Sequence, residues 1–261
     1  MLERGFDQAM GMRRLFEKRS LATLSIAGTT GTTPVTLELA AALADLGRRV
    51  LILDRTHGEA AVGLGLKARY ELAHVLAGSK RLDDVVLSGP HGITVLPAAR
   101  ALDAMDAGDV DGQRALARFL DSDPARFDIC LVNGLAPAPG GADPAARDVL
   151  FVTAPTSASI TEAYAQIKAL ARRQAGHRFR IVVNHARSEA TARSIYTSLA
   201  ETARRFLAAQ LDYGGYLPGE PALPAAPDGR TGATRRSPRA HAFARLAQIL
   251  MSDVPAQFAP V

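Results

Sequence analysis

Ala27-Gly28-Thr29-Thr30-Gly31-Thr32-Thr33-Pro34 follows the apolar run 21–27 and leads into 35–46, where apolar residues recur at helical spacing. A glycine-bearing turn from a strand into a helix presents backbone N–H groups and the positive end of the helix dipole, a geometry suited to an anion. Outward from this turn, short apolar runs at 50–53, 93–96, 129–132, 149–153, 181–183 and 211–215 alternate with helical patterns at 112–120, 160–173 and 189–207. That alternation predicts βαβ units and an α/β fold, a doubly wound, mostly parallel sheet with helices on both faces. Ile181-Val182-Val183 is apolar on successive residues, as a strand covered on both faces requires. Cys130 lies in another such run and reads as an inert core thiol.

Composition narrows the function classes. The 261 residues carry a net charge of +5 and are 48% apolar, enough for a substantial core and against global disorder. One cysteine excludes a disulfide framework, and six scattered histidines do not supply a structural zinc cluster. No apolar run approaches the ~18 residues of a membrane span. Residues 1–20 mix acids and bases, unlike a secretory signal, so a cytoplasmic protein is expected. Only four lysines (Lys18, Lys67, Lys80, Lys168) stand among the 31 basic side chains. The arginines are interspersed with acids rather than striped, so nucleic acid is not expected as a partner.

The loop itself departs from the G-x-x-x-x-G-K-S/T phosphate-binding pattern, with Ile26 at the first glycine and Thr32 at the lysine. Its surroundings are more telling. The sequence resembles the MinD/ParA class of P-loop ATPases, whose loop reads K-G-G-x-G-K-S/T; Gly28, Gly31 and Thr33 align with it. Arg49-Val50-Leu51-Ile52-Leu53-Asp54 resembles that class's second strand, ending in an aspartate. Within the class the similarity is to the FlhG family. It is carried by Tyr70-Glu71-Leu72-Ala73-His74-Val75-Leu76-Ala77-Gly78, by the stretch from Gly92 to Arg100, and by Thr161-Glu162-Ala163-Tyr164-Ala165-Gln166-Ile167-Lys168. Phe6-Asp7-Gln8-Ala9-Met10-Gly11-Met12-Arg13 resembles the family's N-terminal D-Q-A-x-x-L-R motif, with Met12 in place of leucine.

What the resemblance implies is cut back by what is missing. The signature lysine that reaches a partner subunit's phosphates falls at Ala27, and the P-loop lysine falls at Thr32. The second aspartate of the D-x-D motif, which orients the attacking water, falls at Thr56 in Asp54-Arg55-Thr56. The Walker-B aspartate falls at Asn133. Phosphoryl transfer depends on positioning and charge neutralisation, and loss of one such group typically costs ~2.7–4 kcal/mol of barrier. The expectation is therefore a pseudo-ATPase with no catalytic residues and no metal. No cofactor is expected beyond weak ATP or ADP binding, through the N–H groups of Gly28 to Thr33 and the hydroxyls of Thr29, Thr30, Thr32 and Thr33. Asn184 and the loop at Pro218 correspond to the family's base-contacting positions. Two other readings stay open: a strand-helix connection capped by threonines, and Arg55 supplying the missing charge.

The ends suggest partners. Residues 2–18 read as an amphipathic helix and, with the motif above, as a partner-binding segment 1–18 ahead of a P-loop domain 19–252 and a tail 253–261. The resemblance implies that Asp7, Gln8, Ala9, Met12 and Arg13 dock on a signal-recognition-type GTPase of the FlhF kind, among other flagellar assembly or regulatory proteins. Recruitment to the cell pole belongs to the same implication. Residues 224–237 read as a loop and 238–251 as a last helix. Arg230, Arg235, Arg236 and Arg239 form a basic patch, taken as solvated, with lipid headgroups or DNA as the alternative. The tail lacks basic-apolar periodicity and offers no stable membrane anchor. A monomer or a nucleotide-independent dimer is expected. The expected function is FlhG-like regulation of flagellar number and placement through protein contacts. The rivals are an ATP-dependent switch with a non-standard loop, a ParA-like DNA-associated or transcriptional regulator, and a paralogue serving another polar system.

Overall fold

Every apolar run read as a strand pairs into one sheet in the computed structural model, which describes residues 21–122, 126–134, 148–173, 178–207, 209–219 and 237–253. The strands are β1 (Ala22–Gly28), β2 (Val50–Asp54), β3 (Leu87–Ser88), β4 (Thr94–Pro97), β5 (Ile129–Asn133), β6 (Asp148–Thr153), β7 (Arg178–Ala186) and β8 (Leu211–Pro218). Their order is β3-β4-β2-β5-β1-β6-β7-β8, parallel throughout except for the antiparallel β3 at one edge. At the other edge, β8 pairs with β7 through shifts in register beside Ile181 and Asn184. The helices are α1 (Thr32–Asp45), α2 (Glu59–Gly63), α3 (Leu72–Leu76), α4 (Ala99–Asp106), α5 (Val110–Ser122), α6 (Ser157–Arg173), α7 (Glu189–Leu207) and α8 (Pro238–Asp253).

The successive apolar residues supply both faces of the sheet. On β2, Val50 and Ile52 join a cluster with Leu39 and Leu43 of α1 and Phe243 and Leu246 of α8. Leu51 and Leu53 join the opposite cluster with Leu102 and Met105 of α4 and Leu116 of α5. Phe151 and Val149 of β6 pack with Ile167 of α6 and Leu199 of α7. Each large side chain so buried contributes about 1.5–3 kcal/mol, which is how an aliphatic core without tryptophan holds the sheet. Cys130 is buried in the second cluster, as its run suggested.

The differences from the sequence pattern are local. α1 begins at Thr32 rather than at residue 35, because Gly31 takes a left-handed conformation (φ 73°) that turns the chain directly into the helix. Pro34 then falls in the first turn, where a missing N–H leaves no intrahelical bond unmade. α2, α3, α4 and β3 were not anticipated: segments of two to eight residues are too short to display a period. The amphipathic segment 2–18 and the loop 224–237, apart from Ser237, lie outside the described residues. No described helix is long and apolar enough to cross a membrane.

The starts of β2 and β5 are clamped together by charge. Asp128 accepts from the Arg49 backbone N–H at 2.8 Å, from its Nε at 3.1 Å and from Nη2 at 2.7 Å. The Arg49 hydrogen bonds hold the Asp128 carboxyl below its ordinary range. A lowered folded-state value stabilises above the unfolded pKa, and that stability is lost as pH falls through the folded one. Asp128→Asn should therefore lower stability by about 1 kcal/mol near pH 7 and leave it unchanged near about pH 2. Urea unfolding at the two pH values checks this.

Candidate functional site

The loop between β1 and α1 lies at the C-terminal end of the parallel strands, the side on which open α/β sheets hold ligands. Gly28 leaves β1 with φ 155°, and a β-carbon there would overlap the carbonyl of Val152 on β6. Only glycine lets the two backbones approach so closely. Thr29 N then donates to Val152 O at 3.1 Å, and its hydroxyl bonds that of Ser159 on α6. Gly31 is the N-cap of α1, and no side chain caps that end. The threonine-capped connection is thus not what forms: the threonine hydroxyls that do bond are turned elsewhere, and a capless glycine starts the helix. Thr30 stands exposed at the turn. Thr32 contributes its carbonyl to the Thr36 hydroxyl at 2.9 Å.

Thr33 points inward, 7% exposed, and donates to Glu59 Oε2 at 2.8 Å. Behind it, β2 and β5 end in register with Asp54 opposite Asn133, both fully buried. The Asn133 amide nitrogen lies 3.2 Å from Asp54 Oδ1, 3.3 Å from Thr33 Oγ1 and 3.3 Å from Thr56 Oγ1. Its oxygen accepts from Thr36 at 2.9 Å. Asp54 Oδ1 also accepts from Thr56 N at 3.0 Å and Thr56 Oγ1 at 2.6 Å, while Oδ2 accepts from Ala60 N at 3.2 Å. Three of these four donors crowd Oδ1, and both carboxylate oxygens are engaged within the chain. Divalent cations are held by carboxylate and hydroxyl oxygens that turn toward them, and here those oxygens turn toward neighbouring donors.

Positive charge is likewise committed. Arg55, 9% exposed, donates through Nη2 to Asp103 at 2.9 Å and to Asp106, both on α4. In this structure Arg55 is paired with these two carboxylates of α4 and not with the loop. Ala27 is 2% exposed, in the same apolar cluster as Phe151 and Ala163. No side chain of residues 27–33 carries a charge.

Asn184 lies against the loop: a β-carbon on Gly31 would stand 3.1 Å from its Nδ2. Its Oδ1 accepts from Arg239 Nη1 at 3.0 Å, and Pro218 O accepts from the same nitrogen at 2.9 Å. Arg239 Nε and Nη2 pair with Glu38 of α1 at 2.9 Å. Arg239 is only 5% exposed, so it is not part of a solvated basic patch; its charge is consumed by a carboxylate on the first helix. Arg230, Arg235 and Arg236 lie outside the described residues, as do Asp7, Gln8, Ala9, Met12 and Arg13. The structure therefore brings together Gly28 to Thr33, Asp54, Asn184 and Pro218. It adds Thr36, Glu59 and Ser159, which no spacing in the sequence marked, and Arg239, which the sequence placed in a basic patch rather than at this site.

The Antiactivator FleN of Pseudomonas aeruginosa is 37% identical over 196 residues, covering 73% of this chain and 70% of FleN. The chain belongs to the FleN/FlhG family. Its fold is that of the MinD/ParA-type P-loop ATPases. The MinD cell division protein of Aquifex aeolicus superposes with a TM-score of 0.67 at 21% identity, over 92% of this chain and 99% of MinD. Cobyrinic acid a,c-diamide synthase of Mycobacterium smegmatis, with bound ATP analog and magnesium, gives 0.59 at 21%, over 88% and 94% of the two chains. No protein-family model matches the chain.

Asn133 is the buried amide on which the network around Asp54 turns. Asn133→Asp would exchange a donor for a second buried carboxylate beside Asp54. We expect a loss of about 3 kcal/mol near pH 7 in a metal-free buffer, read from the urea midpoint.

Proposed function

We propose that this chain is a FleN/FlhG-like regulator of flagellar number and placement that works through protein contacts, on an ATPase scaffold that no longer turns over ATP. The observation that carries this reading is the closed network Asn133–Asp54–Thr56 and Thr33–Glu59, in which the groups that would face a phosphate and its metal satisfy one another. Transfer of a phosphoryl group needs cations on the developing charge and a group that orients the nucleophile. Magnesium and a triphosphate fit the residues present poorly: no side chain of residues 27–33 carries a charge, and both oxygens of Asp54 already accept from within the chain. Backbone N–H groups at the start of α1 leave weak anion or nucleotide binding as the residual capacity of Gly28 to Thr33. Phosphate release from Mg-ATP should not exceed the protein-free blank, and calorimetry should give a Kd no tighter than about millimolar. A micromolar Kd or measurable turnover would establish the ATP-dependent switch instead.

The partner in this reading is a signal-recognition-type GTPase of the FlhF kind, together with other flagellar assembly or regulatory proteins. The relative FleN is an antiactivator by name, in keeping with regulation by contact. Asp7, Gln8, Ala9, Met12 and Arg13 would form the docking segment: its apolar side enters a groove and the Gln8 amide orients a water at the GTPase site. The protein would act as a monomer or a nucleotide-independent dimer, recruited from the cytoplasm to the cell pole. Burial of Arg239 takes one arginine from the patch a DNA-binding reading would use. Gln8→Ala should lower stimulation of the cognate GTPase by roughly tenfold or more while binding persists. Single-turnover GTP hydrolysis and a pull-down measure the two quantities. Equal stimulation by the variant removes Gln8 from the mechanism.

A further inference from the structure

Arg239 occupies an improbable place for a cation. It is the second residue of α8, within the first turn, where the helix dipole disfavours positive charge. It is nearly fully buried there, and burial of a cation is costly unless it is paired and hydrogen-bonded. Its placement is built nonetheless: Ser237 caps α8 through Ala240 N at 3.1 Å, fixing the helix start, and Glu38 of α1 meets Nε and Nη2. The remaining nitrogen, Nη1, spans two acceptors on different strands, Asn184 Oδ1 after the core of β7 and Pro218 O at the end of β8. Asn184 Oδ1 accepts a second bond from its neighbour His185 N at 3.1 Å, which fills that oxygen. Asn184 itself is 1% exposed.

We infer that Arg239, by occupying Asn184 and Pro218, bars adenine nucleotides from this site. This rests on the reading of Asn184 and Pro218 as base-contacting positions. Adenine presents an exocyclic amino group, a donor, to whatever reads it. Asn184 Oδ1 already holds two donors and Pro218 O holds Arg239, so an incoming base would have to displace a guanidinium bonded to three partners. Moving Arg239 aside would break its bonds to Glu38, Asn184 and Pro218 together, which sets the cost of opening. The poor fit for ATP is thus enforced twice, by absent charge at the loop and by an internal occupant at Asn184 and Pro218. Restoring charge at the loop alone would create a site that senses phosphates and ignores the base.

The test uses the full chain carrying Thr32→Lys, which returns a lysine to the half-buried start of α1. Calorimetry compares Mg-ATP with magnesium tripolyphosphate, which has the charge and no base. With Arg239 in place, the two affinities should agree within about threefold. Adding Arg239→Met with Glu38→Gln, which removes both charges of the ion pair together, should strengthen ATP binding by about tenfold or more and leave tripolyphosphate unchanged. A second variant avoids touching the ion pair: Asn184→Ala in the Thr32→Lys background should alter ATP affinity less than about twofold. The inference is overturned if ATP is preferred about tenfold with Arg239 present, if freeing Arg239 brings no gain for ATP, or if Asn184→Ala weakens ATP about tenfold. The two readings fail separately. Tight and equal binding of both ligands by the unaltered chain would sink the pseudo-ATPase alone, whereas a base preference would sink the closure.

Discussion

One amide governs the middle of this molecule. β2 and β5 run side by side and end together, which sets the side chains of Asp54 and Asn133 against each other in a place that water does not reach. Two carboxylates in that position would repel and would call for a cation between them. An amide instead offers hydrogen atoms to the carboxylate and an oxygen to Thr36, so the pair is complete without any ion. The consequences spread to the elements nearby. Asp54 is free to accept from Ala60 N at the start of α2 and to fold the 54–56 turn onto itself. Thr33 is free to bond Glu59, tying the first turn of α1 to α2.

The same logic of internal satisfaction recurs wherever charge is buried. Arg55 answers Asp103 and Asp106 of α4, and Arg239 answers Glu38 of α1. Buried ion pairs add little net stability over an apolar packing, but each fixes which elements meet and at what register. Here they fasten α4 to the end of β2 and α8 to α1. The phosphate-type loop between them is left with backbone N–H groups and hydroxyls.

Much of this fold was legible because the parallel sheet writes itself plainly. Strands covered on both faces must be apolar residue after residue, and Ile129 to Val132 or Ile181 to Val183 can be little else. The longer helices showed their period, and α7 was found with its bounds intact. The family was visible in motifs, since Gly28 and Gly31 stand where only a glycine suits the backbone. The site was less legible. Asn133, Thr32 and Ala27 announced what was absent, yet nothing in the spacing said that Glu59 would bond Thr33 across 26 residues or that Arg239 would reach Asn184 across 55. Such contacts follow from where helices dock, a property of the packed whole. An arginine near a glycine-rich and arginine-rich stretch reads as solvated until the helix that carries it is placed.

The two margins of the sheet carry a further consequence. An open sheet invites other chains to extend it wherever a straight margin shows unused N–H and C=O groups. On one side, β3 is only two residues long and runs against its neighbour. On the other, β8 holds the pair Gly214-Gly215 and slips register twice against β7, so its outer row does not run straight. Among the described residues neither margin presents a long straight row for a foreign strand, which leaves helical faces and loops as the surfaces open to contact.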